Sequence, residues 1–211
     1  MMTQPEPVVC VIDDDDAARQ SLEFLLKTAG ISVRAFESAK QFLRAMPEIR
    51  SGCIVTDVRM PEVSGIDLLR EVKRQNVGLP VIVITGHGDV ALAVEAMKIG
   101  AIDFLEKPFN DDLLLTSVRT ALQKDALAAR HKAEVAEVQN KLASLSTRER
   151  QVLEGLIAGK PNKVIAFDLG ISPRTVEIYR ANVMTKMAAS SLSDLVRSAI
   201  VAGILTRSGD D

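Results

Sequence analysis

Across its first 124 residues the chain alternates short apolar runs with longer amphipathic stretches, five times over, and that alternation leaves few folds open. The strand-like runs are Val8–Ile12, Val33–Phe36, Cys53–Thr56, Val81–Thr85 and Ile102–Leu105. Around them the apolar period lengthens to that of helices, at about Asp16–Ala29, Ala39–Ala45, Gly65–Gln75, Val90–Lys98 and Asp111–Gln123. Five strands alternating with five helices predict a doubly wound parallel sheet, an α/β architecture. The runs VVCVI and VIVI are apolar throughout, as strands covered by helices on both faces must be. Gly30 stands just past the first helix, where a left-handed residue ends it at little cost.

From Ser146 onward the pattern is helical only. Ser146 and Glu149 form an S-x-x-E capping signature ahead of a helix ending near Gly159. A second helix is predicted over Asn162–Leu169, followed by a tight turn at Gly170–Ile171–Ser172. Ser172 then caps a third helix that has Pro173 at its first position and runs to about Met187. A fourth spans about Ser193–Ala202 and stops at Gly203. Between the two halves, residues 125–145 contain no Gly or Pro and favour a helical linker over a floppy tether. In it Val135, Val138, Leu142 and Leu145 make one narrow apolar stripe, suited either to packing on a domain or to pairing with its twin in a short coiled coil. The expected organisation is therefore residues 1–124, a linker 125–145, and a four-helix domain 146–211.

A total of 211 residues suffices for two such domains. The net charge of -2 hides an asymmetry: residues 1–124 carry 14 Lys/Arg against 18 Asp/Glu, and residues 125–211 carry 12 against 10. Within 146–188 there are 7 basic and 4 acidic residues, so nucleic acid is expected to meet the second half. No apolar run approaches the ~18 residues of a membrane span, and MMTQPEP lacks a basic-then-apolar leader; a cytoplasmic protein with no membrane partner is expected. Cys10 and Cys53 lie inside apolar runs with no zinc-ligand spacing nearby, which reads as reduced core thiols. His87 and His131 stand alone, one expected on a loop and the other on a solvated helix face.

Chemistry gathers at the strand ends. The first strand runs into Asp13 and Asp14, the third into Asp57, the fourth into Thr85, and Lys107 follows the fifth. In an open parallel sheet these ends converge on one edge, where ligands bind. Carboxylates crowded together suit a hard divalent cation with oxygen ligands, of which magnesium fits a small cluster best. Lys107 adds a fixed positive charge and Thr85 a hydroxyl, which together make a site for the oxygens of a transferring phosphoryl group, with a carboxylate as its acceptor. Taken alone, Asp13–Asp16 would read equally well as an acidic cap on a helix N-terminus.

The segments VIDDDD, VTDVRMPEVSG, VITGHGD and DFLEKPF, in order across residues 8–109, resemble the signatures of the two-component receiver family, whose fold is flavodoxin-like. The resemblance implies phosphorylation of Asp57 by a partner sensor histidine kinase. It implies Mg2+ held by Asp14, Asp57 and the backbone carbonyl of Arg59, with Asp13 acting through water. It further implies that Lys107 pairs with the phosphoryl group, that Lys107–Pro108 is cis, and that Thr85 and Phe104 form a coupled switch pair. Haloacid-dehalogenase-like phosphatases also use an aspartyl nucleophile but need a second Asp two residues on, where this chain has Arg59. A switch rather than an enzyme is expected.

The string from Leu145 through Ser172 to Val196 resembles the LuxR/NarL-type helix-turn-helix output domain, whose second helix enters the major groove. By that resemblance Glu177, Ile178 and Ala181 face base edges, while Lys163, Arg174, Thr175, Tyr179, Arg180 and Lys186 lie near phosphates or the groove wall. Tyr179 stands where relatives often have His. The last helix matches the family's dimer-forming helix, so a homodimer on pseudo-palindromic promoter DNA is implied. The whole chain is most similar to the FixJ subgroup. That implies a transcription activator working with RNA polymerase, serving nitrogen-fixation or microaerobic genes. Two other readings are a signalling adaptor whose helix-turn-helix binds protein, and a phosphohydrolase using Asp57.

Overall fold

The five apolar runs form one parallel sheet. In the computed structural model, which describes residues 6–86 and 90–204, the strands are β1 (Val8–Ile12), β2 (Val33–Phe36), β3 (Gly52–Asp57), β4 (Val81–Thr85) and β5 (Asp103–Glu106). They lie in the order β2-β1-β3-β4-β5, each neighbouring pair parallel. The chain moves from β1 outward to β2 and then back past β1 to β3. The carboxyl ends of β1 and β3 therefore flank the crevice where a doubly wound sheet binds its ligand.

Helices α1 (Asp16–Thr28), α2 (Ala39–Ala45), α3 (Gly65–Arg74) and α4 (Val90–Ile99) alternate with the strands, and α5 (Asp111–Ala143) follows β5. Strand residues alternate between two cores. Cys10, Ile12, Ile54, Val81 and Val83 pack with Phe42 of α2, Leu68, Leu69 and Val72 of α3 and Ala96 of α4. On the opposite face Val9, Val11, Cys53, Val55, Ile82 and Ile84 pack with Leu22 and Leu26 of α1 and Leu114, Val118 and Ala121 of α5. Every residue of β3 is buried, and each apolar side chain so placed stabilises the fold by about 1.5–3 kcal/mol.

Cys10 and Cys53 serve these two cores on opposite faces of the sheet. Burial pushes both thiols up to about 12; Arg34 slightly offsets this at Cys10, whereas Cys10 and Asp125 add to it at Cys53. Neither is expected to react with an alkylating reagent at about pH 8 in the folded protein, because the thiolate is the nucleophile. Mass spectrometry before and after denaturation checks this; labelling of the native chain would contradict it.

Two compact units divide the chain, Met1–Ala128 and Ala129–Asp211. The predicted helix Asp111–Gln123 and residues 125–143 of the expected linker form one helix of 33 residues that spans this division, since nothing between Asp111 and Ala143 breaks it. His131 is exposed on this helix; His87 lies outside the described residues.

The second unit contains α6 (Thr147–Ile157), α7 (Asn162–Leu169), α8 (Pro173–Lys186) and α9 (Leu192–Val201). Val152, Leu153 and Leu156 of α6 meet Ile165 and Ala166 of α7, Val176 and Val183 of α8, and Leu195 of α9. The apolar stripe joins this core through Val138, Leu142 and Leu145, so packing on a domain is the reading of the stripe that the fold supports. Ser146 and Glu149 form a reciprocal capping box, and Gly170 ends α7 in the left-handed conformation at φ 65°. Among the described residues no helix is long and apolar enough to cross a membrane.

Candidate phosphoacceptor site and DNA-reading helix

Parallel strands deliver Asp13 and Asp57 to one edge of the sheet, and β5 delivers Lys107 beside them. The Lys107 ammonium donates to Asp13 Oδ2 and to Asp57 Oδ1, each at 2.8 Å. Asp13 and Asp57 are only 2% and 9% exposed, so the lysine neutralises carboxylates that water reaches poorly. Burial by itself would lower the Lys107 ammonium, but the hydrogen bonds and charges of Asp13 and Asp57 outweigh it and hold the group above its ordinary value. The remaining oxygens are also engaged. Asp57 Oδ2 accepts the Arg59 N–H at 2.6 Å, and Asp13 Oδ1 accepts the Asp15 N–H at 3.0 Å.

The acidic run splits between chemistry and capping. Asp15 caps α1 by accepting from the Ala18 N–H at 2.8 Å, and Asp16 pairs with Arg19. Arg19 also donates to the Asp13 carbonyl at 2.7 Å, a contact with no signature in the sequence. Asp14 is exposed, and its carboxylate takes no hydrogen bond or ion pair among the described residues. Among those residues no group of three His, Cys, Asp or Glu has the geometry of a metal site. The cation between Asp13 and Asp57 is Lys107. The donor chemistry still suits magnesium: every candidate atom is a hard oxygen, and Asp14 presents an open carboxylate beside the pair.

Thr85 is buried at the end of β4, and its carbonyl accepts the Lys107 N–H at 2.7 Å. Phe104 is half-buried on β5, two residues from the Thr85–Glu106 pairing, and packs against the core beneath α3 and α4. Lys107–Pro108 is cis, as the resemblance implied. The Arg59 side chain is exposed. Gly65 closes the VTDVRMPEVSG segment and starts α3. A Cβ there would lie 2.1 Å from the Asp57 carbonyl oxygen, so β3 and α3 approach as only glycine allows.

In the second unit the turn at Gly170 and the Ser172 cap, which accepts from the Thr175 N–H at 3.1 Å, set the start of α8. Val176 and Val183 face the core. Glu177 and Ala181 are exposed and Ile178 is 58% exposed, so all three share the outward side. Arg174 and Lys163 are exposed as well, while Thr175, Tyr179 and Arg180 are half-buried. Tyr179 packs against the domain core, and Arg180 donates to Asn162 Oδ1 at 3.4 Å. Lys186 is occupied within the domain: its ammonium donates to Glu149 Oε2 at 2.6 Å and to the Ser144 carbonyl at 3.3 Å.

Residues 9–119 match the family described as response regulator receiver domain, and residues 143–199 match that described as bacterial regulatory proteins, luxR family. The chain is 56% identical to the transcriptional regulatory protein FixJ of Bradyrhizobium diazoefficiens, over 93% of this chain and 96% of the relative. It is 58% identical to the protein of the same name from Azorhizobium caulinodans, over 93% of each. The chain belongs to the FixJ family of response regulators. Among solved structures this FixJ-type regulator resembles the response regulator StyR, with a TM-score of 0.84 and 40% identity over 92% of this chain and 98% of that one. It is a transcription regulator with a receiver and a LuxR-type DNA-binding domain.

The Glu149–Lys186 pair is expected to make the output domain of this FixJ-type chain acid-sensitive. Lys186, then the Ser146 N–H, holds the Glu149 carboxyl down at about 2, against an ordinary value of 4.5. A depressed carboxyl stabilises the fold above the unfolded value and loses that contribution as pH falls through the folded one. Stability of the α6–α9 unit is therefore expected to decline between about pH 4.5 and 2. Glu149→Gln should flatten that slope in acid titrations followed by circular dichroism, and an unchanged slope would contradict the assignment.

Proposed function

We propose that this chain is a phosphorylation-switched transcription activator. A partner histidine kinase loads Asp57, and the loaded protein dimerises and binds promoter DNA through α8. The observation that carries this reading is Lys107 bridging Asp13 and Asp57, at 2.8 Å each, on the ligand-binding edge of the sheet. Asp57 is the phosphoacceptor. When phosphoryl arrives, Lys107 pairs with its oxygens, Thr85 bonds one of them, and Phe104 turns inward. Asp14, Asp57 and the Arg59 carbonyl would hold Mg2+, with Asp13 through water, and the ion supplies charge stabilisation for the transferring group. A groove of about 750 Å³ beside Lys107, lined by Phe24, Leu25, Pro108 and Phe109 among others, gives a protein phosphodonor an apolar seat next to the acceptor. The exposed Phe24, at 73%, suits such a partner. The chemistry is that of a switch, and the chain is not an enzyme acting on an outside substrate.

In the output domain, residues 146–211, Glu177, Ile178 and Ala181 read bases, and Lys163, Arg174, Thr175, Tyr179 and Arg180 fix the register. Lys186 contributes at the groove wall only when it leaves Glu149, so its first duty is to the fold. Residues 1–124 are the receiver and 125–145 the linker. The protein works in the cytoplasm with RNA polymerase, at nitrogen-fixation or microaerobic promoters in keeping with its FixJ relatives.

Binding-site selection from random duplex DNA, at fixed salt with magnesium, tests the reading with and without a beryllofluoride mimic. A two-fold motif enriched only with the mimic, and lost in Asp57→Ala, is the expected result. Equal enrichment in both arms would overturn the switch, and no enrichment would favour a protein-binding adaptor.

A further inference from the structure

We infer that Asp125 is a clasp that fixes the last receiver-bound turn of α5 and thereby ties that helix to the phosphoacceptor strand. The helix faces its core with Leu114, Val118 and Ala121, spaced 4 and 3 residues apart and all fully buried. The next position on that face is Asp125, where the period calls for another apolar residue. Its carboxylate instead reaches across 73 and 74 residues of sequence to the entrance of β3. Oδ2 accepts the Ser51 hydroxyl at 2.6 Å and the Gly52 N–H at 2.9 Å. From Gln123 to Glu134 every other side chain is exposed. Asp125 is thus the last side chain of α5 shielded from solvent within the unit that ends at Ala128.

The anchor point is stiff. Gly52 has φ +137°, and a Cβ there would lie 1.8 Å from the Val8 carbonyl oxygen, so the entrance of β3 is pressed onto β1. β3 runs from Gly52 to Asp57. It carries the clasp at one end and the phosphoacceptor at the other, about 17 Å apart. Hydrogen bonds to a carboxylate are stronger than neutral ones, so the pair holds this helix turn firmly. Asp125 therefore positions the turn at which α5 leaves this unit, for either state of Asp57. This inference rests on the switch reading proposed above.

The test uses the full-length protein as wild type, Asp125→Ala and Ser51→Ala, the second variant removing a partner without touching α5. Hydrogen exchange of the amides of residues 122–130 reads the clasp, and the DNA affinity ratio with and without beryllofluoride reads the coupling. Asp125→Ala is expected to speed exchange in this segment about tenfold or more, as loss of a charged hydrogen bond implies. It should also reduce the affinity ratio several-fold, with Ser51→Ala shifting both in the same direction. Unchanged exchange in both variants would overturn the clasp, and faster exchange with an unchanged ratio would overturn its coupling role. A wild-type ratio of one would instead refute the switch itself, while the exchange data would still decide the clasp.

Discussion

Lys107→Met is expected to destabilise the receiver by about 2 kcal/mol and to abolish phosphoryl uptake. Removing one partner from a buried charge group costs about 3–5 kcal/mol because the other charge is left without compensation. Lys107 is 29% exposed on its side chain, so solvent screens part of that loss. Methionine keeps the methylene stem and removes the ammonium, so the change isolates charge. Adding Asp13→Asn should restore part of the stability, since one of the two stranded carboxylates is then neutral. Urea unfolding followed by circular dichroism measures both steps. Losses that simply add, with no recovery in the double variant, would show that the Lys107–Asp13 contact carries no energy.

Gly65→Ala should act on the same site from the other side of Asp57. The added methyl would lie 2.1 Å from the Asp57 carbonyl oxygen and 2.9 Å from its carbon, both backbone atoms that cannot swing away. Either α3 or the end of β3 must shift, at a cost of about 1–3 kcal/mol for an overpacked contact. Because the Gly65 N–H also donates to the Val58 carbonyl at 2.9 Å, the shift is transmitted to the loop that positions Arg59 against Asp57. Phosphorylation by a small phosphodonor should slow at least tenfold, as sub-ångström misplacement of a reacting group implies. A variant with wild-type stability and wild-type phosphorylation rate would refute the close approach.

How far the sequence foretold this arrangement depended on whether a residue's duty followed from local pattern. The apolar runs VVCVI and VIVI announce covered strands, and the strand ends place Asp13, Asp57, Thr85 and Lys107 on one edge from the pattern alone. Helix α8 is equally legible, because Gly170, Ser172 and Pro173 are local punctuation. What the sequence hid was set by distant partners. Nothing around Asp14–Asp16 distinguishes a capping carboxylate from an open one; the N–H of Ala18 and the guanidinium of Arg19 divide them. The resemblance puts Lys186 near the phosphates or groove wall, and only Glu149, 37 residues away, reveals its structural duty. Asp125 fell in what read as linker, since its partners Ser51 and Gly52 belong to a strand entrance far earlier in the chain. The continuity of α5 was concealed by a change of apolar face rather than by any breaker.

The division of labour along α8 has an evolutionary consequence. The side chains that hold the helix to its domain, Val176 and Val183, are not the ones that project from it, Glu177, Ile178 and Ala181. Exchanges at exposed positions away from special contacts usually stay within about 0.5 kcal/mol. With the base-reading role proposed for these three residues, a duplicated copy of such a gene would change which promoters it addresses through three codons, while its folding remains under separate selection.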